Sequence, residues 1–234
     1  MTSVARNKTG LDLPFVVIGH RGAAGLEPEN TLRSFARAFA LGVPAIELDV
    51  YAIDGALVVF HDDRLERTTN GRGLIATTPL ATLRALDAGK GERIPLLEEV
   101  FATTPPGVAV NVELKGRGTA RLVAELLPTY PDIEVLVSSF RAGELAAFRA
   151  LDAKTKVGAL FHEVRPRMIE AATELDAWSI NLSDEIATRQ RVQSVRAAGF
   201  RCLVYTINDP TRARELAELG ATGIFTDRPD LMLA

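Results

Sequence analysis

The chain has little cysteine, little histidine and no long apolar run, and each shortage excludes something. Cys202 is the only cysteine among 234 residues, so no internal disulfide can form and a reducing compartment is permitted. No apolar run reaches the roughly eighteen residues that a membrane-spanning helix needs. The opening residues MTSVARNKTGLDLP lack the apolar stretch of a secretory signal, so we expect a cytoplasmic protein with a short, loose tail over residues 1–13. Charge of one sign is scarce as well. With 27 basic and 30 acidic residues the formal net charge is −3 and no block of like charge stands out, which argues against a nucleic-acid partner. No basic or apolar interfacial segment is evident, so no stable membrane association is expected; composition leaves a homo-oligomer open.

What is present is core-forming material, 47% hydrophobic, in a repeating order. Short apolar or β-branched runs, FVVIGH (15–20), AIELDV (45–50), VAVNVEL (108–114), EVLVSSF (134–140), KVGALF (156–161), AWSINL (177–182), RCLVYTI (201–207) and TGIFTD (222–227), alternate with helical patterns. The helices are expected over 31–41, 96–103, 119–127, 143–151, 166–174, 185–198 and 210–219. Eight such units predict an α/β chain folded as a single (β/α)8 TIM barrel over residues 14–234. A doubly wound open sheet is the alternative.

One run breaks the alternation. ALVVFHD (56–62) follows AIELDVYAIDG too closely for a parallel crossover, which takes about a dozen residues or more. It must return antiparallel, and Asp54-Gly55 is a hairpin turn signal because a type I′ turn needs positive φ at both positions. Pairing Ile53 with Ala56 and counting back sets Leu48 against His61, which brings His61 beside Glu47 and Asp49.

Glu47 and Asp49 are two apart on a strand and share a face. Two buried carboxylates resist joint ionisation, and a divalent cation resolves the conflict. Glu113 lies near the C-terminal end of the next barrel strand, with Lys115 two residues on. In a barrel the C-terminal strand ends form the face that holds active sites, and His20, Asp49 and Glu113 all sit at such ends. Oxygen ligands suit a hard cation, Mg²⁺ or Ca²⁺. Singly, each of these residues has an ordinary structural role; independent roles would not require them all at one end of one barrel. His162, at another strand end without a motif around it, is read as structural. Gly22 and Gly25 permit a tight backbone turn, and Asn30 or Thr31 caps the following helix.

In order, HRGAAGLEPENT, ELDVYAIDGALVVFHD, LERTTNGRG, IPLLEEV, VELK, SSF, YTIND and GIFTDRP, from Gly19 to Pro229, resemble the motifs of the glycerophosphodiester phosphodiesterase family. The resemblance implies a phospholipase-C-like barrel that hydrolyses small glycerophosphodiesters, the deacylated phospholipids, to sn-glycerol 3-phosphate and an alcohol. It implies His20 and His61 as the acid/base pair and Glu47, Asp49 and Glu113 as ligands of one divalent cation. Residues 51–95 correspond to a short insertion after the second strand. Substrate contacts are expected from Arg21 and Lys115, at the phosphate, and from Tyr205; Glu29 is a candidate contact or a cap. The family often carries Trp where LVYTIND places Tyr205, which puts the shape and polarity of the pocket in question. The resemblance also suggests attack by the glycerol 2-hydroxyl through a cyclic phosphate, a step that the residues do not establish. His61, which the hairpin register delivers to the metal side of the site, is assigned to the leaving alcohol. A catalytically silent barrel and a sphingomyelinase-D-like lipase are the rival readings.

Overall fold

The computed structural model describes residues 10–233. Nine strands run in chain order: β1 (Val16–Gly19), β2 (Ala45–Ile53), β3 (Ala56–Val59), β4 (Ala109–Leu114), β5 (Val135–Ser139), β6 (Lys156–Phe161), β7 (Ser179–Ser183), β8 (Arg201–Tyr205) and β9 (Gly223–Thr226). All but β3 are parallel neighbours in the order β1-β9-β8-β7-β6-β5-β4-β2, and β1 also pairs with β2, with Ile18 opposite Ala45. That last pairing closes the sheet into a (β/α)8 barrel and excludes the open doubly wound alternative.

The α-helices among the described residues are α1 (Leu32–Ala40), α2 (Leu80–Leu83), α3 (Leu97–Thr103), α4 (Thr119–Leu126), α5 (Ala142–Leu151), α6 (Met168–Glu174), α7 (Arg189–Ala197), α8 (Pro210–Glu218) and α9 (Pro229–Met232). The expected helix over 185–198 is in fact two pieces, a 3₁₀ turn at Asp184–Ile186 and then α7, because the Thr188 side chain caps a fresh start by accepting from the Arg191 amide. Helix α6 starts two residues later than expected, after Arg167 in the left-handed region at φ 62°. Thr31, not Asn30, caps α1.

Alternation along the strands builds the site. In β2 the side chains of Ile46, Leu48 and Val50 pack outward against the helices, leaving Ala45, Glu47 and Asp49 on the opposite face. In β4 the outward set is Val110, Val112 and Leu114, so Ala109, Asn111 and Glu113 turn inward. The barrel interior is therefore graded. Its lower layer is apolar, made of Val16, Ile18, Ala45, Ala109, Leu136, Leu203 and Phe225. Buried amides and hydroxyls follow, with Asn111 donating to Ser138 at 2.9 Å and Ser179 donating to Asn181 at 2.8 Å. Carboxylates and imidazoles come last, at the C-terminal mouth. Of the expected tail, residues 1–9 lie outside the described residues, while Gly10–Asp12 form a 3₁₀ turn that buries Leu11 completely against the apolar layer.

The hairpin has the expected register, Ile53 opposite Ala56 through Val50 opposite Val59, after which the Phe60 amide donates to the Asp49 carbonyl at 2.9 Å. Asp54 (φ 49°) and Gly55 (φ 81°) form its turn. The rest of the insertion returns to the barrel where Val59 donates to the Pro95 carbonyl, and it carries a small core of its own, Tyr51, Ile53, Val58, Phe60, Leu65, Ile75, Leu83, Ala88 and Ile94.

Candidate active site

The mouth of the barrel encloses a cavity of about 130 Å³ lined by His20, Arg21, Glu47, His61, Asn111, Glu113, Ser138, Phe140, Leu160, Tyr205, Thr206 and Phe225. Strand pairing explains the grouping: Asp49 stands opposite Glu113 and Glu47 opposite Asn111 across β2 and β4. Carboxylate oxygens of Glu47, Asp49 and Glu113 lie within 4.8 Å of one another, all three residues buried.

These three acids are short of positive charge at close range. Lys115 Nζ lies 3.0 Å from Glu113 Oε1 and 3.6 Å from Asp49 Oδ1, and Arg21 Nε lies 3.4 Å from Asp49 Oδ2. The Arg21 backbone amide donates to Glu47 Oε2 at 2.9 Å, and Asn30 Nδ2 donates to Asp49 Oδ2 at 2.9 Å. Asp49 Oδ1 accepts no hydrogen bond although it is buried. Burial, reinforced by the neighbouring carboxylates, pushes Glu47 well above the usual carboxylate range and Glu113 up to about 7. An all-oxygen donor set with an unpartnered buried lone pair and carboxyls that resist ionisation fits a hard divalent cation.

Both histidines of the mouth are oriented by carboxylates. His20 Nδ1 lies 2.7 Å from Asp227 Oδ1, which leaves Nε2 directed towards Glu47 Oε2 at 3.9 Å. His61 Nδ1 lies 2.6 Å from Asp62 Oδ1. With Nδ1 donating its proton to a carboxylate, Nε2 is the nitrogen each ring offers to a ligand. Burial lowers the His61 pKa below the usual imidazole value, with the Asp49 carboxylate opposing the shift. Neither Asp62 nor Asp227 was expected from the sequence. Asp62 follows His61 directly and could have been suspected from the HD pair, whereas Asp227 sits 207 positions from His20 and meets it only because the barrel closes.

Other expected residues fall into two groups. Arg21 and Tyr205 line the cavity, and the buried Tyr205 hydroxyl has no partner. Lys115 stands outside the lining, 5.9 Å from the Phe140 ring centroid. Glu29 accepts from Arg21 Nη1 at 2.7 Å and does not reach the cavity. His162 is exposed and meets Phe140 edge to face at 5.4 Å. Gly22 is required where it stands: at φ 87° a Cβ would sit 2.5 Å from the Ser34 hydroxyl, because the HRG turn lies directly on α1.

Residues 20–231 match the family model described as the glycerophosphoryl diester phosphodiesterase family. The chain belongs to this family of enzymes. Glycerophosphodiester phosphodiesterases of Bacillus altitudinis and Caldanaerobacter subterraneus subsp. tengcongensis are 33% and 31% identical to it. These alignments cover 92% and 93% of the chain and 95% and 96% of those proteins. Among solved structures, an Oleispira antarctica phosphodiesterase in complex with the product sn-glycerol-3-phosphate is 36% identical, with a TM-score of 0.89 over 94% of this chain and 95% of that one. The enzyme thus shares its barrel, end to end, with phosphodiesterases of this family. No helix among its described residues is long and apolar enough to cross a membrane.

Proposed function

We propose that the enzyme hydrolyses small glycerophosphodiesters to sn-glycerol 3-phosphate and an alcohol, with one divalent cation, Mg²⁺ or Ca²⁺, held by Glu47, Asp49 and Glu113. The observation that carries this reading is a trio of buried carboxylates, two of which line the cavity at the barrel mouth together with two carboxylate-oriented imidazoles. A bound cation would offset the phosphate's negative charge and polarise its oxygens.

The chain's own residues do the rest. Arg21 lines the cavity with its guanidinium fixed by Glu29 and contacts a non-bridging phosphate oxygen; Lys115 adds positive charge from the rim. His20 accepts at Nε2 a proton from the attacking glycerol 2-hydroxyl while Asp227 holds the ring, and His61 delivers a proton from Nε2 to the leaving alcohol as its bond to phosphorus breaks. Water then opens the cyclic phosphate to sn-glycerol 3-phosphate, His61 taking the water's proton and His20 returning its own to the 2-oxygen. Because burial disfavours the charged imidazole, His61 takes up that proton as the anionic substrate binds. Tyr205 presents a neutral, unpartnered hydroxyl to the glycerol end.

The direct test is release of glycerol 3-phosphate from glycerophosphocholine and glycerophosphoethanolamine, before and after exhaustive chelation and with intact phospholipid or sphingomyelin vesicles as the comparison. Activity on the soluble diesters alone, lost on chelation and restored by Mg²⁺ or Ca²⁺, is expected. Full activity in chelator sinks the cation, and preference for vesicles sinks the substrate class.

A further inference from the structure

Arg67 lies in the insertion, on LERTTNGRG, and does not line the cavity, yet its guanidinium grips two carboxylates at once. Nε and Nη2 donate to Asp62 Oδ2 and Oδ1 at 2.5 and 2.9 Å, while Nη1 and Nη2 donate to Glu29 Oε2 and Oε1, both at 2.7 Å. Each carboxylate has a second partner at the site. Asp62 Oδ1 meets His61 Nδ1 at 2.6 Å, and Glu29 Oε1 accepts from Arg21 Nη1 at 2.7 Å. An unbroken series of hydrogen bonds therefore runs His61, Asp62, Arg67, Glu29, Arg21. It joins the residues after β3 to the loop after β1, neither of which is itself part of a strand ladder.

A purely stabilising role accounts poorly for this arrangement. The Arg67 side chain is 49% exposed, and ion pairs at that exposure add little to stability. Four N–H donors spent on two carboxylates set direction instead, since a planar fork constrains the plane of each acceptor. Asp62 orients the His61 ring, Glu29 orients the Arg21 guanidinium, and Arg67 sets the two acids relative to each other.

We propose that Arg67 is a positioning residue that holds His61 and Arg21 in a single geometry for proton transfer and phosphate binding. The proposal rests on the reading of those two residues given above. Without Arg67, the Asp62 carboxylate is free to turn and the imidazole it holds drifts; a displacement near 1 Å at a reacting group costs on the order of 10²-fold in rate.

The test measures kcat, KM and Tm on glycerophosphocholine for Arg67→Ala, Arg67→Lys, His61→Ala and the double variant Glu29→Gln/Asp62→Asn, with and without Arg67→Ala. Arg67→Ala should lower kcat about 10- to 100-fold, the scale of losing a partner that orients a site residue, with Tm nearly unchanged. Arg67→Lys keeps the charge but cannot fork to both acids, so it should fall in the same direction by less, and it carries the test if the alanine variant fails to fold. In the double variant Arg67→Ala should have under about 3-fold further effect, because residues acting as one unit are non-additive. Wild-type kcat in both Arg67 variants, or full additivity, overturns the proposal while leaving the function intact. Wild-type kcat in His61→Ala overturns the underlying reading instead.

Discussion

His20 and His61 differ less in their partners than in their surroundings. Each ring is held at Nδ1 by a carboxylate, and each has one nitrogen left for chemistry. Replacing either by alanine should reduce turnover by about 10²- to 10⁴-fold, the range for a positioned proton-transfer group, and steady-state rates at saturating substrate measure it. His162→Ala, at an exposed residue that meets Phe140 edge to face, should stay near wild type. A nitrophenyl leaving group needs no protonation, so on that substrate the His61→Ala defect should shrink and the His20→Ala defect should persist; the reverse pattern would exchange their roles. In the proposed role of proton donor His61 must be charged, so the limb it would govern falls as pH rises. Burial puts its midpoint in the kcat/KM profile below the usual imidazole value of about 6.5, and the substrate's charge should move the same limb higher in the kcat profile. Arg21→Lys should be costly in kcat/KM, since a planar donor pinned by Glu29 becomes a mobile point charge. The carboxylate trio and both histidines stood out in the sequence because strand periodicity and strand ends place them. Asp227 did not, since nothing local in GIFTDRP signals a partner at the other end of the chain.

At the scale of elements, a hairpin decides where a catalytic candidate stands. β3 delivers His61 to the mouth, and its register depends on a turn whose two residues both have positive φ. Gly55→Ala meets no neighbouring atom within 4 Å, so its effect isolates the backbone. About 1 to 2 kcal/mol of destabilisation is expected from urea unfolding, with turnover largely retained by the folded fraction. Asp54 and Gly55 were legible because hairpin turns demand such residues, and the eight barrel strands were legible because parallel strands buried on both faces read as continuous apolar runs. Helix α2, only four residues long, and α9 at the chain end were not. A single turn of helix has no periodicity to read, and tertiary packing of Leu83 and Pro229 holds these turns in place. The division of the 185–198 segment escaped for a related reason: the apolar spacing continued across a break that only the Thr188 cap marks.

Taken whole, the molecule concentrates unfavourable charge at one end of a barrel that is otherwise well packed. Carboxyls whose pKa is raised on folding stabilise the folded chain below the ordinary carboxylate range, and that contribution is lost as pH climbs through their raised values, up to about 7 for Glu113. A divalent cation competes with those protons, so the rise in Tm produced by added Mg²⁺ or Ca²⁺ should be larger near pH 8 than near about pH 5.5. Equal shifts at both pH values in calorimetry would mean that the trio does not hold the ion. At the opposite end, Leu11→Ala removes a fully buried side chain from the apolar layer and should cost about 2 to 5 kcal/mol in denaturant unfolding.

Leu11 also turns the barrel into a cul-de-sac. Among the described residues, the far end is stoppered by a side chain from the beginning of the described chain and the interior above it is filled by Phe225, Leu203 and Leu136, so the cavity faces the mouth. A stopper at the base and chemistry at the rim mean that the two histidines work beside open solvent while the apolar layer beneath them stays dry.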